Sequence, residues 1–517
     1  MKKLTKHNAV VTNATAVTAL STAERGLGFL YRIALSRLIG AEGMGLYQVA
    51  LSLFALFLTI GTGGIPITVS RMISKSKAER RPEDEASSVS AGIALSLILT
   101  LPVGLFLLFF GHKFPFLFSD ERAFRVFRIL LFGLCFSSIY AVFRGYFWGN
   151  KEFLLPSILE IAEETVMVIV GILLLQNVPN AAVGAEKAAW AVVISYLFSF
   201  TASTLCYFFK KGRLSNPKKQ LKPLFNATLP ITSVRASGSF INSAVAILLP
   251  IMLVRAGFHN GEALSLFGIV TGMVMPILFI PATVIGSLSL VLVPELSEDF
   301  YRKNFTRLRK NIERGIGFSF LIACFLLPLF FAVGEDLGRL AFSNPKAGEM
   351  IVKSCFLLLP MSLTMISTSI LNSIGFEKQT FTFYFIGAGA MLLCVLFLPA
   401  LFGVYAYVIG LGISYVVTSA CNLLFLYKQC HFFKKRWHHV CVHAIFPVFI
   451  TILPSSLLGK FLNLLLSSVC GEVLSIFISS IITALFLLIA YLWIGVLPSP
   501  FKNKKNERKN SFSPFRP

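Results

Sequence analysis

Charged residues are scarce in this sequence of 517 residues. Only 14% of the residues are Asp, Glu, Lys or Arg, whereas 56% are hydrophobic and the mean hydropathy is +0.76. Soluble globular domains carry about 25% charged residues. This chain has too few charges to cover the surface of a 57.0 kDa soluble body. The composition therefore excludes a soluble globular protein and leaves the lipid bilayer as the solvent.

Acidic residues are scarcer still, with 24 Asp and Glu against 47 Lys and Arg and a net charge of +23. In a soluble protein such an excess would suggest a nucleic-acid partner. Here the positive charges fall in short segments between apolar runs, as in residues 71–81, 210–222, 302–314, 428–436 and 502–516. This distribution favours a topological role in a membrane, so we expect no nucleic-acid partner.

Motifs of catalysis and of cofactor binding are missing as well. The nine cysteines match no disulfide or metal framework. The sequence contains no P-loop, nucleophile elbow or zinc signature. No segment between apolar runs is long enough for a separate soluble domain. We therefore expect no enzymatic activity, no cofactor and no metal site.

Long apolar runs dominate what is present, and a run of about 20 residues can span a bilayer as a helix. We predict an all-α polytopic membrane protein with about fourteen spanning helices. The predicted spans are 10–36, 46–70, 88–111, 124–147, 153–175, 187–209, 224–254, 264–294, 312–334, 349–373, 380–401, 404–427, 439–459 and 472–497. An even number of spans puts both termini on one side, and the Lys and Arg clusters make that side cytoplasmic. A cell-membrane location follows, with the bilayer as a partner.

A weak internal repeat relates the two halves of the chain. The run 37–47 follows the first span as 255–268 follows the seventh, and 65–70 corresponds to 293–297, at an offset of roughly 220 residues. This parallel repeat predicts an N-terminal lobe at 1–215 with helices 1–6 and a C-terminal lobe at 216–430 with helices 7–12. Helices 13–14 at 431–500 and a basic tail at 501–517 lie outside the repeat.

Three arginines lie inside predicted spans, where an ionisable group is costly and suggests function. Arg25 and Arg32 are seven residues apart on one face of the first span. Arg235 is on the seventh span, the counterpart of the first. Guanidinium groups suit phosphate and pyrophosphate, so these arginines are candidate substrate-binding residues. Alternatively, Arg32 extends to the interface and the other two form structural ion pairs.

Carboxylates also lie inside predicted spans. Glu160, Glu163 and Glu164 are in the fifth span, which has no basic residue, and Glu24 precedes Arg25. They are candidate coupling groups that bind a proton or cation, or counter-charges for the arginines. The alternative is that the fifth-span glutamates form fixed salt bridges to the first span.

Two prolines suggest flexible points in the spanning helices. Pro66 follows the run Gly61-Thr-Gly-Gly-Ile, and Pro294 lies near the end of the eighth span. Helices broken by Gly and Pro often line transport cavities. We predict that both prolines are hinges between the halves, with plain kinks as the alternative.

Several runs resemble the stage V sporulation protein B family, namely 37–47, 64–71, 144–151 with Pro156 and Glu160, 229–235, 272–276 and 293–298. The resemblance extends in order over nearly the whole chain. That family belongs to the multidrug/oligosaccharidyl-lipid/polysaccharide exporter superfamily, beside the MurJ-type lipid II flippases. It implies two six-helix lobes around a cavity that opens alternately to each side. It also makes Arg71 and Arg144, at cytoplasmic helix ends, candidate gate or substrate-entrance contacts, with a purely topological role as the alternative.

The function implied by the resemblance is the flipping of an undecaprenyl-pyrophosphate-linked oligosaccharide, such as lipid II for spore cortex peptidoglycan. The expected protein is a monomer that works beside cell-wall synthesis enzymes. One alternative is a cation-coupled multidrug antiporter of the same fold. Others are the export of a different lipid-linked polysaccharide unit and a non-transporting scaffold for a cell-wall synthesis complex.

Overall fold

The computed structural model describes residues 2–113, 118, 120–430 and 446–494 of the chain. Within these ranges all regular secondary structure is helical and no strand is present. The helices are long and apolar, because a chain in lipid must satisfy its backbone hydrogen bonds within each spanning segment. The predicted class, an all-α polytopic membrane protein, is confirmed.

The chain divides into two compact units, Met1–Gly272 and Met273–Pro517. The helices of the first unit are α1 (Lys2–Thr62), α2 (Ile65–Ala78), α3 (Pro82–Phe110), α4 (Glu121–Gly149), α5 (Leu154–Leu174), α6 (Ala181–Phe209), α7 (Lys218–Arg255) and α8 (Asn260–Gly268). A short 3₁₀ helix, Gly111–Lys113, follows α3. A π-helix, Ile269–Val274, contains the boundary between the units.

The second unit contains the remaining helices. They are α9 (Met275–Leu278), α10 (Ile280–Tyr301), α11 (Phe305–Phe342), α12 (Pro345–Ser354), α13 (Leu358–Ser373), α14 (Glu377–Phe397), α15 (Pro399–Phe402), α16 (Tyr405–Cys430), α17 (Phe446–Cys470) and α18 (Glu472–Ile494). A 3₁₀ turn, Cys355–Leu357, joins α12 to α13.

Twelve helices in the described ranges are long and apolar enough to cross a membrane. The first of them, Thr15–Ala78, has 64 residues, which is long enough for two crossings of about 20 residues each. The helix α5 is 21 residues long, which suffices for one crossing, but it carries three glutamates and is not among the twelve. With the first helix counted as two crossings and α5 as one, the predicted count of about fourteen spans agrees with the structure.

The connection between the first two predicted spans differs from the expected loop. Helix α1 runs through it, interrupted only at Gly40, whose backbone has φ 71° and ψ −177°. Glycine adopts this left-handed region without the steric cost that a Cβ atom brings. The next break comes at Gly63–Gly64, and α2 then extends to Ala78, beyond the predicted end of the span at residue 70.

The thirteenth span also differs from the prediction. Residues 439–445 of the predicted span lie outside the described ranges, and α17 continues past 459 to Cys470. The extension contains Lys460, which pairs with Glu335 of α11 at 3.3 Å, and Asn463, which donates a hydrogen bond to Asp336. Because these polar residues have partners on α11, they do not end the helix as the hydropathy pattern suggested.

Each unit has its own apolar core. In the first unit it includes Ile65, Val69 and Phe147, and in the second Leu308 and Ile366. The boundary between the units falls later than the predicted lobe boundary at 215/216, because α7 and α8 pack on α1. The lobes at 1–215 and 216–430 and the segment 431–500 stay predictions, and the tail 501–517 lies outside the described ranges.

Candidate functional site

The first half of α1 carries the predicted arginines on one face. Arg25 is exposed, and Arg32, two turns further, is partly buried near Tyr47 and Glu164. Gly28 lies between the two arginines on the same face, at i+3 from Arg25. A Cβ atom on Gly28 would lie 2.7 Å from Glu164 Oε1. The glutamate of α5 therefore rests against the bare backbone between the two arginines, where its charge offsets that of Arg32.

Arg235 belongs to the same compact unit as Arg25 and Arg32. It is exposed on α7, one turn before Ser239, whose hydroxyl is 2.9 Å from the hydroxyl of Thr59 on α1. A second contact follows where Ser243 donates to the carbonyl of Ser52 at 2.7 Å. Hydrogen bonds between small polar residues thus hold α7 against the second half of α1. Arg235 lies beside this helix–helix contact.

The glutamates of α5 have three different environments. Glu160 pairs with Arg144 of α4 at 2.9 Å, so it does not form the salt bridge to the first span that sequence analysis considered. Glu164 faces α1, as described above. Glu163 has a buried carboxylate oxygen, Oε2, without a hydrogen-bond partner. One helix therefore presents a paired carboxylate, a carboxylate against a glycine and a carboxylate with one buried oxygen that has no partner among the described residues.

Arg144, expected at a cytoplasmic gate or substrate entrance, is held in an ion pair close to the end of α4. Its guanidinium carbon lies 5.2 Å from the Trp148 ring centroid and 5.9 Å from that of Tyr140. Glu24 of α1 is partly buried and lies close enough to Glu160 and Arg144 to interact electrostatically. The aromatic residues one turn either side of Arg144 were missed by the sequence analysis, although their i±4 spacing was available.

The other predicted positions are more peripheral. Arg71 is exposed on α2. Pro66 is buried in the first turn of α2, a position that suits proline, and the break in the helix lies before it at Gly63–Gly64. Pro294 is exposed inside α10. The hinge role of the two prolines stays a prediction.

An ion-pair cluster at the start of α4 was also missed. Arg122 pairs with Asp120 and with Glu42 of α1, both at 2.8 Å, and Asn260 of α8 donates to Asp120 at 3.1 Å. Burial raises the pKa of Asp120, but the hydrogen bonds from Arg122 outweigh burial and lower that pKa below its usual value. The cluster ties α1, α4 and α8 together at one end of the first unit. Asp120 precedes an apolar helix as an N-cap, which was the available signal.

These features define a polytopic helical membrane protein whose first unit carries arginines and glutamates within its spanning helices. Residues 10–300 match the family described as polysaccharide biosynthesis protein. Because this match covers more than half of the chain, the protein belongs to that family. The resemblance inferred from the sequence motifs is confirmed.

Two relatives come from Bacillus subtilis (strain 168). Stage V sporulation protein B is 26% identical over 351 residues, covering 65% of this chain and 67% of the relative. Lipid II flippase MurJ is 23% identical over 318 residues, covering 56% of this chain and 58% of the flippase.

Two solved structures have the same fold. The inward closed conformation of lipid II flippase MurJ gives a TM-score of 0.67 at 16% identity and covers 92% of this chain and 99% of that one. The inward-facing conformation of a multidrug resistance MATE family transporter gives a TM-score of 0.66 at 15% identity, covering 79% and 94%. The predicted MATE/MurJ-like fold is therefore confirmed.

Proposed function

We propose that this protein flips an undecaprenyl-pyrophosphate-linked sugar precursor of the lipid II type from the inner to the outer leaflet by alternating access. The observation that carries the proposal is the exposure of Arg25 and Arg235 within spanning helices. Among the described residues, neither arginine forms an ion pair with a carboxylate. A charge in a spanning helix faces a water-filled cavity or the protein interior, because exposure to hydrocarbon is costly.

The chemistry of the arginines supports a phosphate-bearing cargo. A guanidinium donates two parallel hydrogen bonds to phosphate oxygens, which gives both charge neutralisation and orientation. Arg25 and Arg235 supply such groups from α1 and α7, and Arg32 adds a third whose charge Glu164 offsets. The names of the flippase relative and of the flippase structure support lipid II as the first cargo to test.

The setting of this activity is proposed from topology and relatives. Both termini lie in the cytoplasm, the location is the plasma membrane and the protein acts as a monomer beside cell-wall synthesis enzymes. Arg71 and Arg144 contact the headgroup at the cytoplasmic entrance. A role in spore cortex peptidoglycan is supported by the sporulation protein among the relatives.

The test is flipping of labelled lipid II in proteoliposomes that contain the purified full chain. Arg25→Ala and Arg235→Ala are each expected to lower the flipping rate about tenfold or more, because each removes a charged hydrogen bond worth about 1.5–3 kcal/mol. Arg302→Ala is the matched control, since Arg302 is exposed and pairs with Glu298 one turn away. Equal flipping rates for wild type, Arg25→Ala and Arg235→Ala contradict the proposal.

A second cargo in the same assay tests the neighbouring hypotheses. An unrelated undecaprenyl-pyrophosphate sugar that is flipped in place of lipid II indicates export of another lipid-linked polysaccharide unit. No flipping of either lipid by folded protein indicates a scaffold for cell-wall synthesis enzymes. In each case the lipid II proposal is wrong.

The second candidate function is a cation-coupled multidrug antiporter. The observation that favours it is the buried, unpartnered carboxylate oxygen of Glu163 beside Glu164 in a chain with the fold of a MATE transporter. Dye efflux from cells that is lost in Glu163→Gln or Glu164→Gln would support this function. In addition, Arg25→Ala would have to leave lipid II flipping unchanged, which contradicts the flippase proposal.

A further inference from the structure

Polar groups from three helices face one another inside the first unit. Tyr140 and Arg144 lie one turn apart on α4, and Glu160 and Glu163 lie on α5. Ser199 of α6 faces Glu163. The Arg144 guanidinium contacts the Glu160 carboxylate at 2.9 Å, and the Tyr140 hydroxyl lies close to both glutamates. This polar cluster lies where α4, α5 and α6 pack together.

Three buried polar atoms in the polar cluster have no hydrogen-bond partner in the part of the chain that the structure describes. They are the Tyr140 hydroxyl, Arg144 Nε and Glu163 Oε2. Tyr140 as a residue is only 5% exposed. Each buried polar atom left without a partner costs about 1–3 kcal/mol.

The charges in the polar cluster do not balance at Glu163. Arg144 pairs with Glu160 and Arg32 lies near Glu164, so these two carboxylates have a cation each. Among the described residues, Glu163 has no cation of its own and shares Arg144 with Glu160. An ionised carboxylate without its own cation is costly to bury, so such a group tends to take up a proton. The titratable and charged groups around it are Tyr140 and Arg144 on α4, Glu160 and Glu164 on α5, and Tyr196 on α6.

The donor set favours a proton over a metal ion. In the described part of the chain, no group of three or more His, Cys, Asp or Glu is arranged to hold a metal. The Arg144 guanidinium, which pairs with Glu160 at 2.9 Å and acts electrostatically on Glu163, repels a cation but hydrogen-bonds to a carboxylate. A proton on a carboxyl group removes the unbalanced charge without adding a cation beside Arg144.

We propose that Glu163 is a proton-binding site and that its proton couples the transport cycle to the proton gradient. Binding forms an O–H bond on the Glu163 carboxyl group with a proton taken from solvent water. Release breaks that bond and returns the proton to water. The carboxylate that remains attracts Arg144 away from Glu160, which changes the contact between α4 and α5. The coupling step rests on the proposed flippase function, whereas proton binding does not.

Proton binding is tested by infrared difference spectroscopy of the purified full chain in lipid while the pH is changed. A protonated carboxyl group gives a carbonyl stretching band that ionisation removes. The band is expected in wild type and in the control Glu186→Gln, whose site is a surface pair with Arg125 at 3.0 Å. It is expected to be lost in Glu163→Gln. A band that persists in Glu163→Gln overturns the proposal.

A conservative variant covers the case in which Glu163→Gln does not fold. Glu163→Asp keeps a carboxyl group but shortens the side chain, so its band is expected at a different frequency and with a different titration midpoint. An unchanged band in Glu163→Asp assigns the proton to another residue and overturns the proposal.

Coupling is tested in the lipid II proteoliposomes with a pH difference imposed across the membrane. One pH unit corresponds to a factor of about ten for each proton carried. Wild type and Glu186→Gln are expected to flip at rates that differ up to about tenfold between opposite gradients. Glu163→Gln is expected to give a ratio of about one. Equal gradient responses in wild type and Glu163→Gln overturn the coupling while leaving flipping itself intact.

The two proposals fail in different ways. If the protein shows the Glu163 band but moves no lipid under any gradient, the flippase function is wrong. Coupling of the proton to lipid transport is then wrong as well, but proton binding is still supported. A protein that flips lipid and lacks the band supports the flippase function and overturns the proton site.

Discussion

Replacement of Gly45 by alanine is expected to destabilise the first unit, because two backbones meet at this glycine. A Cβ atom on Gly45 would lie 2.0 Å from the carbonyl oxygen and 2.7 Å from the carbonyl carbon of Leu264 on α8. The facing glycine, Gly268, is equally crowded, since its Cβ atom would lie 2.3 Å from the Ala41 oxygen. Neither neighbour is a flexible side chain that could turn aside.

The magnitude follows from these distances. Close carbon–oxygen contacts between helices are about 3.3 Å, so α1 and α8 would have to separate by about 1 Å. Overpacking of this kind destabilises the fold by about 1–3 kcal/mol. Alanine offsets up to about 1 kcal/mol of this loss, because its helix propensity is higher than that of glycine. We expect a net loss of about 1–2 kcal/mol.

The assay is unfolding in mixed micelles with increasing SDS, followed by circular dichroism at fixed temperature. A thermal melt is less suitable, because a chain of this length has an unfolding entropy of about 1 kcal/mol/K, so that the shift is only about 1–2 °C. Gly26→Ala is the matched control, since no atom lies within 4 Å of a Cβ atom at Gly26 on the same helix. A midpoint for Gly45→Ala equal to or above that of Gly26→Ala would refute the reasoning.

Two further predictions use the same SDS titration. The interactions that lower the pKa of Asp120 stabilise the folded protein. Their contribution is complete above about pH 4, where a free aspartate ionises, and it is lost as the pH falls through the lower pKa of Asp120 in the folded state. Asp120→Asn should therefore show a smaller loss of stability on acidification than wild type, and an identical pH profile would count against this assignment. Asn463→Leu should destabilise the second unit by about 1–3 kcal/mol, because it removes the hydrogen bond to Asp336. Lys460→Leu, at a partly exposed position one turn before Asn463, is the control with the smaller expected effect, and equal losses of stability in the two variants would contradict this prediction.

The spanning segments could be predicted from the sequence because the bilayer imposes a local rule. A helix in lipid satisfies its backbone hydrogen bonds within itself. A run of apolar residues therefore predicts a spanning helix without any knowledge of the helices that pack against it. The rule failed where side chains have partners, as at Lys460 and Asn463, because those partners are on a helix more than a hundred residues away. It also missed that Gly40 kinks a continuous helix where a loop was expected.

The sequence by itself determined the class of protein, the family motifs and the positions of charge inside spans, since each depends on residues close together in the chain. Only the tertiary structure decided which charges meet. Arg144 pairs with Glu160, and Glu164 rests against Gly28, while Glu163 has no cation of its own among the described residues. These choices depend on how α1, α4 and α5 pack against one another, and packing is set by contacts between residues far apart in sequence.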